Sequence, residues 1–471
     1  MNVVVTGGAG QLGSRVLRRL AGDRRVKAIT SIDLRSPSVG SAKIRTVIAD
    51  VRDREIIRHF EGHDALVHLA FVVTEARPLA EVQSINVAGS ASVFDAAARA
   101  GLTQIVYSSS IAAYGVVPGH PEPITEETPR VRQPGFAYAL TKFEVESALD
   151  QFEAQHPAIA VARLRPAILI GHDMDHGLGV SLRRRQLVQV VGLGDAPLPI
   201  VWDEDVAEAV ALALLGGKRG AFNLAADQSL PPGALATATG LRLLRVPRGL
   251  ARGFLRVVNT VARLGIGKAM DPAWLESTGT RMVISSERAK RELGWRPRCP
   301  TAVDVIRRHQ AEVPRSLDRR LALFLRLVAL ASRRRRADAG RGAGFTTHLR
   351  ITGPDGGDRL IVVDRVRLAI GRFRRGVAGP PGATITLTAA TLRRLLSGEG
   401  DVSTAQLTGE LRVEGEPAAS MMLGAIVTAF RAAGARPGWR GKMSRRLAAW
   451  FARNPATASA PSTVTAPEAQ R

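Results

Sequence analysis

A short segment near the amino terminus constrains the fold most strongly. The residues VVVTGGAGQLGSRVL place Gly7, Gly10 and Gly13 at three-residue spacing, between an apolar run typical of a buried strand and a helical pattern. Gly7 allows a tight turn, Gly10 lets the backbone approach a pyrophosphate, and Gly13 lets the helix pack closely on the sheet. Because a helix start presents free N–H groups and partial positive charge, the segment predicts a dinucleotide-binding loop, with Gln11 and Leu12 among its contacts.

The next apolar run, AITSID, ends at Asp33, 20 residues after Gly13. A carboxylate at that distance accepts hydrogen bonds from the ribose diol of a dinucleotide. It would repel a 2′-phosphate, so NAD is the favoured cofactor. Arg35, two residues further on, could pair with that phosphate and keeps NADP as the alternative.

Residues 1–170 alternate short apolar runs with helical patterns. This alternation predicts an α/β fold with a Rossmann-type doubly wound parallel sheet, whose strands are buried on both faces. Residues 171–311 are less regular and predict a small substrate lobe with helices at DEDVAEAVALALLGG and SERAKRELGW. The strands are expected at NVVVTG, AITSID, RTVIAD, DALVHLA, QIVYSSS and AVARLRPAILIG.

The helical segment FAYALTKFEVESAL holds the residues expected to carry chemistry. Tyr138 and Lys142 are four residues apart and therefore share one helix face. An ammonium beside a phenol should lower the pKa of the phenol, so that Tyr138 can take a hydroxyl proton at neutral pH. Lys142 is also expected to hold the nicotinamide ribose. Ser110 follows an apolar strand and is expected to bind the substrate oxygen.

Residues 1–311 resemble the extended short-chain dehydrogenase/reductase family, in its epimerase/dehydratase branch. The matching segments are TGGAGQLG, DVRD, HLA, INVAGS, SSSIAAYG, LRPAILIG, DEDVAEAV and ELGWRP. The resemblance assigns Ser110, Tyr138 and Lys142 to catalysis. It places further cofactor contacts at Asp50 and Val51 (adenine), Leu69 and Ala70 (the strand end beside the cofactor) and Pro166 (nicotinamide), and gives His68 a structural role.

One departure from the family bears on the substrate. Sugar-nucleotide members often carry an asparagine shortly after the Arg-Pro pair, whereas Ala167 and Ile168 follow here. We therefore expect NAD(P)-dependent oxidation or reduction of a hydroxyl or carbonyl on a hydrophobic, sterol- or lipid-like substrate. The alternatives are a sugar-nucleotide epimerase or dehydratase, and a non-enzymatic lipid-binding or transfer protein with structural NAD.

The carboxyl-terminal part of the chain predicts a second domain. Residues 345–436 resemble the sterol carrier protein type two family, through ATITLTAATLRRLLSGE and AQLTGELRVEGE. That resemblance implies a small α/β layer around an apolar lipid tunnel. A helix rich in methionine follows, and methionine side chains adapt to varied ligands. Residues 437–471 are expected to be basic and then disordered.

Residues 312–344 are expected to form a basic amphipathic linker helix that includes LALFLRLVALASRRRR. Of the net charge of +24, residues 312–471 carry +15, which favours an anionic partner. The apolar run is too short to span a bilayer, and interleaved aromatics for nucleic-acid binding are absent. Residues 319–336 therefore either pack as a tether or contact an anionic membrane peripherally.

The remaining composition excludes several classes. Cys299 is the single cysteine, so an intrachain disulfide and a zinc site built on paired cysteines are excluded, and we expect no metal. The amino terminus has no signal-peptide pattern. We expect a cytoplasmic protein with a hydrophobic small-molecule or lipid partner, and a homodimer remains open.

Overall fold

The computed structural model divides into two compact units, Met1–Pro314 and Arg315–Arg471, which are described separately. It describes residues 1–73, 77–172, 174, 177–263, 269–313, 345–352, 357–363, 368–372, 383–397, 400–415, 423–424 and 427–428. The linker helix predicted at 312–344, which includes residues 319–336, lies almost entirely outside these residues, as does the tail 437–471. Among the residues described, none of the helices is long and apolar enough to cross a bilayer.

A seven-stranded parallel sheet forms the centre of the first unit. Its strand order is β10-β6-β5-β4-β1-β2-β3. The strands are β1 (Asn2–Thr6), β2 (Ala28–Asp33), β3 (Ile44–Ile48), β4 (Ala65–His68), β5 (Gln104–Ser108), β6 (Ala160–Pro166) and β10 (Gly220–Leu224). The strand order reverses direction between β1 and β4, and crevices that bind ligands form at such a point. The predicted doubly wound sheet is confirmed.

Helices cover both faces of this sheet. They are α1 (Gln11–Ala21), α2 (Leu79–Gln83), α3 (Gly89–Arg99), α4 (Ala137–Gln155) and α6 (Asp203–Leu215). In β1, Val3 and Val5 join the apolar cluster on one face, whereas Val4 joins the cluster on the other. Such a strand reads as a continuous apolar run because both of its faces are buried.

The predicted strand AVARLRPAILIG is two strands in the structure. The backbone N–H of Ala167 still bonds to Leu224 of the main sheet, but that of Ile168 bonds to Pro199. The chain thus leaves the main sheet at Ala167, and β7 (Ile168–Ile170) pairs in parallel with β9 (Ile200–Trp202).

The rest of the first unit forms the smaller lobe. A second small sheet pairs β8 (Gln186–Val191) with β11 (Arg242–Pro247) in parallel. The sequence patterns did not predict either strand. The helices of this lobe are α5 (Gly177–Arg183), α7 (Pro232–Thr239), α8 (Arg248–Arg263), α9 (Ala273–Glu276) and α10 (Ala302–Glu312).

The second unit contains a five-stranded mixed sheet of order β14-β13-β12-β15-β16. Strands β12 and β15 are parallel, and the other pairs are antiparallel. The segment RLIVVDRVRLAIG contributes two antiparallel strands. The elements are β12 (Phe345–Thr352), β13 (Gly357–Val363), β14 (Leu368–Arg372), β15 (Ala383–Thr388), α11 (Ala389–Ser397), α12 (Val402–Leu407) and β16 (Leu411–Gly415). Most of the predicted methionine-rich helix lies outside the described residues, but Leu423 and Val427 are helical and buried.

Candidate active site

The glycine loop lies at the carboxyl end of β1, against the end of β4. Gly7 has a φ of +77°, and a Cβ there would stand 2.5 Å from the backbone nitrogen of Ala70. A Cβ on Gly13 would stand 2.2 Å from the carbonyl oxygen of Gly7. Neither distance is compatible with a side chain, so both glycines are required by close backbone approach. The strand end at Leu69–Ala70 and the loop are therefore in direct contact, and the cofactor contacts expected at Leu69 and Ala70 stay predictions.

Donor groups collect where α1 begins. Helix α1 starts at Gln11, and Gly10 at its N-cap supplies no side-chain cap. The Nε2 amide of Gln11 is buried and has no hydrogen-bond partner among the described residues. Uncapped N–H groups together with an orphaned amide donor suit an anionic group such as a pyrophosphate. The residues at this end of the sheet thus fit a dinucleotide.

Asp33 ends β2 beside this loop and helps to hold it. Its carboxylate accepts hydrogen bonds from the backbone N–H of Ala9 at 3.0 Å and from that of Arg35 at 3.1 Å. Each carboxylate oxygen keeps a second lone pair, so a ribose diol can still donate to Asp33. The side chain of Arg35 is exposed.

The adenine contacts expected at Asp50 and Val51 lie just beyond β3. The guanidinium of Arg52 donates to Asp50 at 2.6 and 3.0 Å, which lowers the pKa of that carboxyl group. Val51 is buried, and only a glycine at position 89 leaves room for it, since a Cβ there would stand 2.9 Å from Val51. Pro166 is buried at the end of β6, on the same edge of the sheet.

Tyr138 stands in the first turn of α4, and Ser110 reaches it from the end of β5. Ser110 caps a short 3₁₀ segment at Ile111–Tyr114, where its hydroxyl accepts from the backbone N–H of Ala112 at 3.2 Å and lies beside the phenol of Tyr138. Burial raises the pKa of Tyr138, and the neighbouring Ser110 hydroxyl acts in the opposite direction. The predicted net lowering of this pKa was therefore wrong, because burial outweighs the other influences on the phenol.

Lys142 is buried one turn later on α4. Its Nζ donates to the carbonyl oxygen of Ser108 at 2.7 Å and to the phenol of Tyr107 at 3.2 Å, and it lies 3.5 Å from the centre of the Phe71 ring. Burial lowers the pKa of Lys142 to about 7, while the nearby carboxylate of Glu146 raises it. An amine in this state changes charge near neutral pH, as acid–base catalysis requires.

The three consecutive serines of SSSIAAYG have different partners. The carbonyl oxygen of Ser108 accepts from Lys142, Ser109 donates to Glu146 at 2.5 Å, and the hydroxyl of Ser110 accepts from the backbone N–H of Ala112 and lies beside the Tyr138 phenol. The structure thus brings Ser110 and Tyr138 together, as the resemblance implied. The catalytic roles of Ser110, Tyr138 and Lys142 stay predictions.

A buried ionic network supports this helix, and sequence patterns did not reveal it. Glu146 is fully buried and accepts two hydrogen bonds from Arg165, at 2.9 and 2.5 Å. Arg165 also donates to Tyr114 at 2.7 Å, and Tyr114 donates to Asn223 of β10 at 2.8 Å. Glu146 follows Lys142 by four residues, a spacing that places both on one helix face and could have signalled the link.

Aromatic rings surround Tyr138, and these were missed as well. Trp274 of α9 lies 5.1 Å from Tyr138 between ring centres, and Phe136 and Phe71 lie at 6.1 and 5.9 Å. Because α9 belongs to the smaller lobe, Trp274 brings that lobe to the phenol. Little in the sequence indicates that Trp274 lies near Tyr138, since it follows 136 residues later in an irregular segment.

His68 is structural, as expected. Its ring nitrogens contact Thr6 Oγ1 at 2.6 Å and Ser90 Oγ at 2.8 Å, and burial lowers its pKa to about 3. Cys299 is buried, and burial raises the pKa of its thiol to about 12. Within the described part of the chain, no group of three His, Cys, Asp or Glu side chains could hold a metal ion.

Comparison with known proteins finds relatives of the first unit. An uncharacterized protein of Mycobacterium tuberculosis is 27% identical over 312 residues, covering 64% of this chain and 81% of that protein. A UDP-glucose 4-epimerase of Azospirillum brasilense is 28% identical over 340 residues, covering 65% and 90%. A dTDP-glucose 4,6-dehydratase of Streptomyces venezuelae, solved with NAD bound, shares the fold with a TM-score of 0.51, at 20% identity and coverage of 66% and 98%. Residues 3–225 match the model of the NAD dependent epimerase/dehydratase family.

Proposed function

We propose that the first unit is an NAD-dependent enzyme that oxidises and reduces a sugar carbon of a nucleotide sugar, in an epimerase- or dehydratase-type reaction. The observation that carries the proposal is the proximity of Ser110, after β5, and Tyr138, in the first turn of α4, at the same edge of the sheet as the glycine loop. The matched family and the epimerase and dehydratase relatives support this substrate class over the lipid-like substrate expected first.

Each residue of the site has a defined task in this proposal. Gly7 and Gln11 would hold the pyrophosphate of NAD, and Asp33 its adenosine ribose. When bound, NAD supplies a hydride acceptor. Tyr138 takes the proton of the substrate hydroxyl as general base, and returns it when the carbonyl is reduced. Ser110 orients the same oxygen.

Tyr138 can act as a base only after its phenol has lost a proton to solvent. Burial opposes this loss because it raises the pKa of Tyr138, so a nearby positive charge is needed to stabilise the phenolate. Lys142, one turn away on α4, is the buried cation that supplies this charge. Its pKa of about 7 leaves it partly charged at neutral pH, and Glu146 favours the charged form.

The test is a substrate screen with the full chain. Purified protein is incubated with NAD and UDP-glucose, UDP-galactose, UDP-glucuronic acid or dTDP-glucose, while NADH fluorescence and the sugar NMR spectrum are followed. Conversion of one of these sugars that is lost in Tyr138→Phe supports the proposal. Tight NAD binding without conversion of any nucleotide sugar contradicts it.

A second candidate keeps the hydrophobic substrate. The rings of Phe71, Phe136 and Trp274 around Tyr138 favour an apolar ligand, as do Ala167 and Ile168 after the Arg-Pro pair. Sterols and long-chain alcohols belong in the same screen. NADH formation with one of them, and with none of the sugars, would select this candidate.

For the second unit we propose lipid binding, on the strength of its resemblance to the sterol carrier protein type two family. The described strands and helices bury an aliphatic set that includes Leu349, Ile351, Ile385, Leu387 and Leu395. Native mass spectrometry of the full chain with sterols, fatty acids and acyl-CoAs tests this. Absence of any bound lipid would leave the unit without a binding role. Contact of residues 319–336 with an anionic membrane likewise remains a proposal.

A further inference from the structure

Helix α8 of the smaller lobe exposes a row of large apolar side chains. Leu250, Phe254 and Val257 are 68%, 72% and 61% exposed, and their spacing of four and three residues puts them on one face. Leu255, by contrast, is buried against the lobe. Isolated exposed apolar residues are ordinary, but a contiguous row of three on one helix marks an interaction surface.

The surroundings of this row are positively charged. Residues 242–263, which form β11 and α8, contain six arginines and neither Asp nor Glu. Glu276 of α9 pairs with Arg248 at 2.6 Å and with Arg252 at 2.8 Å. Arg242, Arg245 and Arg256 are exposed, so the net charge beside the apolar row remains positive.

From this combination we infer that α8 lies on the surface of an anionic lipid bilayer, with Leu250, Phe254 and Val257 among the acyl chains and the arginines at the headgroups. An apolar row beside basic side chains is the pattern of helices that lie in a membrane interface. A second copy of the chain is the weaker occupant, because two α8 helices brought face to face would place their arginine flanks together without a carboxylate on either helix. The inference does not depend on the proposed substrate.

The single cysteine makes a local test possible. Cys299 is buried, so Phe254→Cys can be labelled with an environment-sensitive fluorophore in the full chain. Phosphatidylcholine vesicles, with and without phosphatidylglycerol, are then added. We expect a blue shift with the anionic vesicles that weakens as salt is added, because exposed charges are screened. Leu34→Cys is the matched control, since Leu34 is 66% exposed on the cofactor side and should show no shift.

Three outcomes would overturn the inference. One is an unchanged spectrum with both kinds of vesicle. Another is an emission that is already shifted to the blue before any vesicle is added, which would mean that another part of the protein covers α8. The third is a blue shift that increases with protein concentration in the absence of lipid, which would mean that a second copy of the chain covers α8. Leu250→Cys repeats the measurement on the same face, and Arg256→Ala should weaken the shift at Phe254→Cys. The label reports on α8 itself, so binding through residues 319–336 alone would leave it unshifted and also count against the inference.

Discussion

The Nζ of Lys142 donates to the carbonyl oxygen of Ser108 across 2.7 Å, and this bond ties helix α4 to the end of β5. The bond fixes the ammonium in a buried position between the rings of Phe71 and Tyr107. In the proposed mechanism Lys142 therefore acts on Tyr138 through its charge alone, because neither partner of its two hydrogen bonds is the Tyr138 phenol. Burial then sets the pKa of both groups, raising that of Tyr138 and lowering that of Lys142.

Replacing Tyr138 with phenylalanine should remove most turnover and leave cofactor binding nearly unchanged. A general acid–base group is worth roughly 10²–10⁴-fold in rate. The phenylalanine keeps the ring contacts with Trp274 and Phe136 and loses only the hydroxyl. Turnover on the substrate found by the screen and NAD affinity by calorimetry are measured together. Near-normal turnover would remove Tyr138 from the mechanism.

Substitutions at Ser110 and Ser109 should differ in their effects, the first mainly on turnover and the second mainly on stability. Ser110→Ala removes the hydroxyl beside the Tyr138 phenol and the cap of the 3₁₀ segment, so we expect a clearly lower kcat and a loss of only about 1 kcal/mol of stability. Ser109→Ala leaves Glu146 short of one buried donor, which should cost about 1–3 kcal/mol of stability with little effect on kcat. Denaturant unfolding and steady-state kinetics on both variants test this, and the reverse pattern would move the catalytic role to Ser109.

The pH dependence of stability should reveal the buried state of Lys142. Its pKa is about 7 in the folded protein against 10.5 ordinarily, so between these values the unfolded chain binds more protons. In that window the free energy of unfolding should rise with pH, by roughly 1.4 kcal/mol per unit at most for this group. Lys142→Met should lose that part of the rise. The free energy of unfolding of both proteins is measured by denaturant titration from pH 7.5 to 9.5. If it rises equally steeply with pH in both, the pKa of Lys142 is not lowered in the folded protein.

The sequence predicted those parts of the fold that depend on residues close together in the chain. The loop from Gly7 to Gly13, the strand ending at Asp33 and the helix carrying Tyr138 were found because turn chemistry and apolar periodicity are encoded in adjacent residues. The split of the predicted strand at Ala167 was missed, since it depends on pairing with Pro199 and Leu224. Strands β8 and β11 were missed because their pairing is also long-range.

The sequence predicted which residues lie in the site better than it predicted their pKa values and contacts. Spacing placed Tyr138 and Lys142 on one helix face, but the pKa of each depends on burial, which only the packed structure fixes. The same is true of Trp274, which reaches Tyr138 from a distant segment, and of the Glu146–Arg165 pair, which joins α4 to β6. The lipid-like substrate first expected rested on the loss of one asparagine and on the second domain, neither of which reports on sugar recognition directly.

Two substitutions at Asp33 should separate its charge from its hydrogen bonds. Asp33→Asn keeps an acceptor for the N–H of Ala9 or Arg35 and removes the negative charge, so NADP binding should improve relative to NAD. Asp33→Ala removes both acceptors and should also weaken binding of NAD through a looser loop. Affinities for NAD and NADP by calorimetry decide this. If the native protein already prefers NADP, the exposed Arg35 outweighs Asp33.

Replacing Glu146 with glutamine should change both stability and the state of Lys142. Arg165 would remain buried without its carboxylate, and breaking a buried ion pair from one side costs about 3–5 kcal/mol. The matched control is Glu144→Gln on the same helix, whose exposed pair with Arg132 at 3.2 Å should be worth less than about 1 kcal/mol.

Glu146 also raises the pKa of Lys142, so its neutralisation should move that pKa further below 7. The pH at which the Lys142-dependent rise in stability begins should then shift to a lower value in Glu146→Gln and stay unchanged in Glu144→Gln. Denaturant unfolding across pH 5.5 to 9.5, each with and without Lys142→Met, measures both effects, and an unshifted onset would mean that Glu146 stabilises Arg165 without tuning Lys142.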